Sequence, residues 1–291
     1  MTIPAEVLKK IKLLEMNTKK LVNSNFAGQY KSAFKGQGMT FSDFREYVPG
    51  DDVRSISWSL TARTGNTYIK KYEEERELVL ILAVDVSGSI NFGSENYFKG
   101  EVLTHLSALL GFSAAKNNDH VGLLLFSDQV EHYVPPKKGQ GHIQRILRDL
   151  YFHEPKSRRT QISSVVEYLS GVLKKRGTVF IFSDFMDSAP FATALKKLAR
   201  RHDTVAVQIT DPIEMNLPSL GLMDFIDPES GELLTLDTNS ILFQRDYKKN
   251  FAGYRDAISQ ELKKAQIDLV EVTNGEDFIQ PLATYFKKRK R

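Results

Sequence analysis

The sequence contains no cysteine among its 291 residues. Disulfide bonds, thiolate nucleophiles and zinc–sulfur sites are therefore excluded. Six histidines are present, but no two of them are four residues apart, which is a spacing typical of metal sites on helices. Any metal site must therefore depend mainly on carboxylate and hydroxyl oxygens.

Long apolar runs are also missing. The longest, LVLILAV at residues 78–84, has seven residues, whereas a membrane-spanning helix needs about 20. The first thirty residues carry lysines and an amphipathic pattern, but no apolar centre of the kind found in secretion signals. We therefore expect a cytoplasmic protein with no membrane span.

The chain has little excess charge. Its net charge is +4 and its isoelectric point about 9.0, and part of the excess lies in KKRKR at residues 287–291. Lysine and arginine are favourable at the C-terminal end of a helix, and no basic stripe is interleaved with aromatic residues as nucleic-acid binding would require. We expect a solvated helix end and no nucleic-acid partner, and a nucleic-acid contact is the less favoured alternative.

What the chain does contain is an alternation of short apolar and longer amphipathic segments. Five apolar segments predict strands, and several of them are apolar on both faces, as in a parallel sheet covered by helices: 78–84, 121–126, 178–182, 204–210 and 267–272. Helical periodicity lies between and after them, at 98–114, 160–175, 190–201, 239–264 and from about Asp277. This alternation predicts an α/β fold with a doubly wound, mostly parallel, Rossmann-like sheet.

Two segments interrupt the alternation. VEHYV at 130–134 follows the second strand after only three residues, which is too short for a helical crossover, so we expect an antiparallel edge strand. The segment 221–237 has apolar residues on both sides of PESG and predicts a second hairpin.

Oxygen-bearing side chains follow the predicted strands. Asp85, Ser87 and Ser89 come after the first strand, Asp184 follows the third segment, and Thr160 precedes a helix. Ligands of open α/β sheets bind beyond the carboxyl ends of the strands, and oxygen ligands suit Mg²⁺, or else Mn²⁺ or Ca²⁺. A lone D-x-S-x-S more often reflects helix capping and turn formation, but the separate threonine and aspartate favour a metal site.

This pattern resembles the metal-ion-dependent adhesion site of von Willebrand factor A domains. Those domains have D-x-S-x-S after the first strand, a threonine from a second loop and an aspartate from a third, and all five positions are filled here. The resemblance implies a strand order of 3-2-1-4-5-6 with the third strand antiparallel. It also implies that the bound cation bridges to an acidic residue of a protein partner.

The region upstream of the first strand resembles the family called domain of unknown function fifty-eight. The matching motifs are Gly36 and Gly38, residues 41–47, residues 49–54, Trp58, residues 62–64 and residues 73–75. Ser57 stands where the family usually has aspartate. The family is widespread in bacteria, and the resemblance implies a MoxR-type AAA+ ATPase as a partner in assembling or activating other proteins.

The sequence divides into a family-signature segment at 1–77 and a von Willebrand factor A-like domain at 78–291. We expect residues 36–77 to pack on the larger domain, with Trp58 as the buried anchor. The charged residues around Trp58 form either a docking surface or a structural ion-pair lattice, and we favour the lattice. They are Arg45, Glu46, Asp51, Asp52, Arg54 and Arg63.

The chemistry of the predicted site favours binding over catalysis. A metal-dependent phosphohydrolase of the haloacid dehalogenase type needs D-x-D-x-T, so that a second carboxylate can transfer a proton, and Ser87 stands at that position. We therefore predict a non-enzymatic interaction module whose metal faces solvent on its open side. The predicted partner-binding residues are Ile90, Lys156, Arg158, Arg159 and Phe185, and the basic ones would steer an acidic partner.

Overall fold

A computed structural model of the chain describes residues 5–22, 26–34, 40–73, 78–94, 97–187 and 189–289. The signature residues Gly36, Gly38, Glu74 and Glu75 lie outside these ranges. The chain forms two compact units, residues 34–78 and residues 1–33 with 79–291. The structure thus groups residues 1–33 with the larger unit, whereas the sequence analysis placed residues 1–77 in one segment.

From residue 78 onward the predicted strands and helices occur in the predicted order, with α5 and α8 as additional helices. The strands are β1 (Thr40–Glu46), β2 (Tyr68–Glu73), β3 (Val79–Asp85), β4 (His120–Phe126), β5 (Val130–Lys137), β6 (Thr178–Ser183), β7 (Asp203–Thr210), β8 (Leu222–Ile226), β9 (Leu233–Asp237) and β10 (Asp268–Thr273). The helices are α1 (Ala5–Leu21), α2 (Ala27–Ala33), α3 (Trp58–Thr64), α4 (Lys99–Lys116), α5 (Gln140–Phe152), α6 (Ile162–Val172), α7 (Ala192–Arg201), α8 (Pro212–Met215), α9 (Ile241–Lys264) and α10 (Ile279–Arg289).

The larger unit is built on a six-stranded sheet in the order β10-β7-β6-β3-β4-β5. All neighbouring strands pair in parallel except β4 and β5, which are antiparallel. Counted from β3 as the first strand of the sheet, the order is 3-2-1-4-5-6 with the third strand antiparallel. The predicted von Willebrand factor A-like α/β fold is therefore confirmed.

The core explains why β3 and β6 are apolar along their whole length. Both strands are central in the sheet, so helices cover them on two sides. On one face Ile81 and Ala83 pack with apolar residues of α6, α7 and α9. Leu80 and Leu82 alternate to the opposite face and are fully buried as well. Burying one such side chain stabilises the fold by about 1.5–3 kcal/mol, so these strands fix the end of the sheet where Asp85 emerges.

The sequence analysis did not identify α1, α2, α3, α5 or α8 as helices. Helix α5 buries Ile143, Ile146, Leu147 and Leu150, a spacing of 3, 1 and 3 residues that is typical of an amphipathic helix. Helices α1 and α2 are part of the larger unit and both contact α4. The Lys19 ammonium of α1 lies 5.7 Å from the centre of the Phe112 ring of α4. No described helix is both long and apolar enough to cross a membrane.

The smaller unit contains the antiparallel pair of β1 and β2 together with α3. Arg45 donates two hydrogen bonds to the Asp51 carboxylate, at 2.9 and 2.6 Å, and Asp51 also accepts from the Val48 N–H. This bidentate pair fixes the turn after β1, which is the structural role expected of the lattice for Arg45 and Asp51. Trp58, in contrast, is 70% exposed, so the prediction of a buried tryptophan anchor was wrong.

The exposure of Trp58 gives a first testable prediction. We expect Trp58→Ala to change the free energy of unfolding by no more than about 0.5 kcal/mol, as for other surface substitutions. The matched control is Ile69→Ala in the same unit, because Ile69 is 6% exposed and its truncation should cost about 2–5 kcal/mol. Urea denaturation of both variants checks this. A loss in Trp58→Ala equal to that in Ile69→Ala would contradict it.

Candidate metal centre

The predicted site begins where the central strand ends. Asp85 is the last residue of β3, and Ser87 and Ser89 follow in a single turn of 3-10 helix. The Ser87 N–H donates to Asp85 Oδ1 at 2.9 Å, and the Ser87 and Ser89 hydroxyl oxygens are 3.2 Å apart. All three side chains are buried. The turn therefore brings the carboxylate and both hydroxyls to one place, as the D-x-S-x-S spacing predicts.

The neighbouring strand β6 orients the carboxylate of Asp85. The Ser183 hydroxyl donates to Asp85 Oδ2 at 2.6 Å and accepts the Phe185 N–H at 2.9 Å. Asp184 follows in the same loop, is 2% exposed, and accepts the Met186 N–H at 3.1 Å. The sequence analysis did not select Ser183 as a site residue, whereas the structure shows that it positions Asp85.

Thr160 reaches the same end of the sheet from the loop before α6. The Gln161 N–H donates to the Ser127 carbonyl at 3.1 Å, and the Ile162 N–H donates to Asp187 Oδ2 at 2.8 Å. These bonds hold the backbone directly after Thr160, whose side chain is 7% exposed. Its hydroxyl donates to Glu229 Oε1 at 2.7 Å. The sequence analysis did not select Glu229 as a site residue.

The oxygen atoms fit a small hard cation. Two ligands in adjacent positions of an octahedron with bonds of about 2.1 Å are roughly 3.0 Å apart, close to the Ser87–Ser89 separation of 3.2 Å. Within the described residues no group of three or more histidines, cysteines, aspartates or glutamates is arranged to hold a metal. The hydroxyls of Ser87, Ser89 and Thr160 would therefore be essential ligands alongside Asp85 and Asp184.

Negative charge is concentrated at these buried positions. Burial, followed by the nearby charge of Asp184, raises the pKa of Asp85 to about 7. Burial also raises the pKa of Glu229, and Asp184 again contributes. A cation would favour the ionised form of both groups because it neutralises charge that the low dielectric of the interior leaves unscreened.

A buried side chain of the protein, that of Lys99, also carries positive charge next to the site. Lys99, in the first turn of α4, is 0% exposed and donates to Asp184 Oδ2 at 2.8 Å and to Glu214 Oε1 at 2.7 Å. Burial lowers the pKa of Lys99, but Asp184 and Glu214 together outweigh it, so the pKa lies above its ordinary value. Lys99 thus holds Asp184 in place. In the sequence it is an ordinary lysine at a helix start, and no local pattern distinguishes it.

The predicted partner-binding residues have two different environments. Lys156, Arg158 and Arg159 are exposed beside the site, as expected of residues that steer a partner. Ile90 and Phe185 are 3% and 0% exposed. These two side chains pack into the larger unit and do not form part of its surface, so their assignment to the partner-binding surface is corrected.

The side of the site that was expected to be open is covered by the turn between β8 and β9. Gly88 lies so close to this turn that a Cβ atom there would be 2.2 Å from the Pro228 carbonyl oxygen. Glu229, the next residue, accepts the hydrogen bond from Thr160. The expectation of an open face is therefore wrong, because the turn of a hairpin that is distant in sequence contacts the site there at Gly88 and Thr160.

Comparison with known sequences identifies the family. Residues 43–257 match the family described as "Protein of unknown function DUF58". The chain belongs to the DUF58 family. An uncharacterized protein of Mycobacterium tuberculosis is 25% identical over 283 residues, which cover 97% of this DUF58 chain and 89% of the relative. One of Mycobacterium avium is 24% identical over 160 residues, covering 54% and 94%.

Two solved structures resemble this DUF58 protein. The conserved hypothetical protein BatB from Bacteroides thetaiotaomicron has a TM-score of 0.49 at 15% identity, covering 73% of this chain and 98% of that one. The SpRpn10 VWA domain has a TM-score of 0.41 at 10% identity, covering 72% and 95%. At these scores the fold assignment depends on the strand order itself.

Proposed function

We propose that this protein is a metal-dependent protein-interaction module of the DUF58 family. The observation that supports it is the buried group of two carboxylates and three hydroxyls at the carboxyl end of the central strand, contributed by Asp85, Ser87, Ser89, Thr160 and Asp184. Bound there, Mg²⁺ or a similar cation would supply positive charge for an acidic side chain of a partner. The chain's own residues hold and orient the oxygens, and Lys156, Arg158 and Arg159 attract the acidic partner.

The family resemblance points to a MoxR-type AAA+ ATPase as the partner. The cytoplasmic location of the protein stays a prediction.

A phosphohydrolase is the competing function. It would need a proton-transferring acid in the D-x-S-x-S turn, and Ser87, whose hydroxyl lies against that of Ser89, cannot supply one at neutral pH. A phosphatase assay with Mg²⁺ separates the two functions, since the interaction module predicts no turnover above that of Asp85→Ala.

The metal site gives a second prediction. We expect wild-type protein to bind Mg²⁺ or Mn²⁺ with modest affinity, because three of its five ligands are neutral, and we expect Asp85→Ala to abolish binding. Isothermal titration calorimetry measures both. The control is Asp256→Ala, which removes an exposed carboxylate of α9 and should bind as wild type does. Equal binding by wild type and Asp85→Ala would refute the metal site.

The interaction itself is tested with a MoxR-type ATPase as the probe. We expect capture of the ATPase by wild type in Mg²⁺, and loss of capture in chelator and in Asp184→Ala. Capture that survives both changes would show an interaction independent of the metal. Circular dichroism of the Asp184→Ala variant verifies that it is folded, since this substitution also removes a partner of Lys99.

A further inference from the structure

The turn of the β8–β9 hairpin contacts the proposed metal centre at two separate points. Glu229 Oε1 accepts the hydrogen bond from the Thr160 hydroxyl at 2.7 Å. The Pro228 carbonyl lies against Gly88, in the D-x-S-x-S turn, where a Cβ atom would meet its oxygen at 2.2 Å and its carbon at 2.9 Å. One contact is polar and the other steric, and they involve two different loops of the site. The hairpin therefore covers the centre rather than touching its margin.

The turn is built to present the carboxylate of Glu229. Asp227 Oδ1 accepts the N–H groups of Glu229 and Ser230 at 2.8 and 2.7 Å, and the Gly231 N–H donates to the Asp227 carbonyl at 2.8 Å. Gly231 adopts a φ of +74°, which suits glycine. These bonds fix the backbone around Glu229 without using its side chain. The Glu229 carboxylate is thus available to accept the hydrogen bond from Thr160.

Away from its tip and its base, the hairpin is weakly attached to the larger unit. None of the ten residues of β8 and β9 is buried, and Leu222, Ile226 and Leu233 are 76%, 68% and 59% exposed. At the base, Thr238 is fully buried and its hydroxyl bonds with the Leu220 N–H and the Gly221 carbonyl, both at 2.8 Å. Elements with little buried apolar surface open at low free-energy cost. The hairpin can therefore swing about its base.

We propose that Glu229 is an internal carboxylate ligand of the centre and that the β8–β9 hairpin is a lid over it. The inference rests on the proposed function and adds its regulation. A partner's aspartate or glutamate has the same chemistry as Glu229, so the two compete for one position. Because Glu229 is tethered, its effective concentration is of the order of millimolar. A partner binds only when the hairpin is open. Its apparent affinity is therefore its intrinsic affinity multiplied by the fraction of molecules in which the hairpin is open.

Hydrogen–deuterium exchange of the backbone amides of residues 222–237 tests the lid, with and without Mg²⁺, in wild type, Glu229→Gln and Glu232→Gln. Glu232 is the matched control, because it is an exposed carboxylate of the same turn. We expect Mg²⁺ to slow exchange of the hairpin in wild type and in Glu232→Gln, and to have no effect on it in Glu229→Gln. Calorimetry should show Mg²⁺ affinity about tenfold lower in Glu229→Gln.

The outcomes separate the lid from the metal site. If Mg²⁺ binds to wild type but the hairpin exchanges equally in wild type and Glu229→Gln under both conditions, the lid is refuted and the metal-dependent function stands. The same holds if Glu229→Gln retains the protection by Mg²⁺. If calorimetry detects no Mg²⁺ binding to wild type, the metal site fails and Glu229 is no ligand of it.

Discussion

Replacing Asp85 by asparagine is expected to stabilise the metal-free protein at neutral pH. Burial, followed by the charge of Asp184, raises the pKa of Asp85 from 3.8 to about 7. Below about pH 3 the carboxyl group is protonated in both the folded and the unfolded chain. As the pH rises towards 7 the unfolded chain releases this proton first, so the folded state loses stability across that interval. Above pH 7 the loss is complete.

The size of this effect makes it measurable. A rise in pKa from 3.8 to about 7 corresponds to roughly 4 kcal/mol, which is a large part of the stability of a typical domain. Asparagine keeps the shape of the side chain and carries no charge. We therefore expect Asp85→Asn to match wild type near about pH 3 and to exceed it by up to about this amount above pH 7 in chelator.

Urea denaturation at several pH values measures the difference between wild type and Asp85→Asn, and the subtraction removes contributions of other titrating groups. Asp256→Asn, an exposed position on α9, serves as the control and should parallel wild type. Added Mg²⁺ should restore wild type at pH 8 and leave Asp85→Asn unchanged. Parallel pH profiles of wild type and Asp85→Asn would show that Asp85 is not the source of the pH dependence.

The fold was predictable because its strongest signals are local. The fully buried β3 and β6 are continuous apolar runs, and the three residues between β4 and β5 allow only a hairpin. The α5 pattern was present but lacked a capping side chain, since its first turn follows Gly139. Helices α1 and α2 pack on the larger unit across many intervening residues, and no local pattern predicts that packing.

The candidate site was predictable only in part, for the same reason. Asp85, Ser87 and Ser89 lie within five residues, so their convergence follows from the geometry of one turn. Lys99 meets Asp184 across 85 residues of sequence, and Thr160 meets Glu229 across 69. PESG correctly predicted a turn, but its sequence does not indicate that the turn lies over the metal centre. Long-range contacts of this kind depend on how loops fold back over the sheet.

The other large predicted effect on stability concerns Lys99, which no local sequence pattern distinguishes. Lys99→Met is expected to reduce the free energy of unfolding in chelator by about 3–5 kcal/mol, because it leaves two carboxylates in the interior without a counter-charge. Both partners of Lys99 are largely buried: the side chains of Asp184 and Glu214 are 2% and 17% exposed. Methionine fills a similar volume, so loss of charge rather than a cavity should account for most of the change.

Two further variants separate charge from packing. Lys248→Met removes an exposed lysine of α9 and should change stability by no more than about 0.5 kcal/mol. The double variant Lys99→Met with Glu214→Gln should recover part of the loss, since one of the two unpaired charges is removed. Denaturation in chelator measures all three. A double variant less stable than Lys99→Met alone would show that packing, not charge, explains the effect.

Lys99 and a divalent cation would share Asp184, and this links the prediction to the proposed metal site. The Lys99 ammonium bonds to Asp184 Oδ2. Within the described residues, Asp184 Oδ1 accepts a hydrogen bond from the Met186 N–H alone. This second oxygen therefore stays available to the metal. In Lys99→Met the cation becomes the principal counter-charge of Asp184. Mg²⁺ should therefore stabilise Lys99→Met more than it stabilises wild type. Equal stabilisation by Mg²⁺ in both proteins would place the cation away from Asp184.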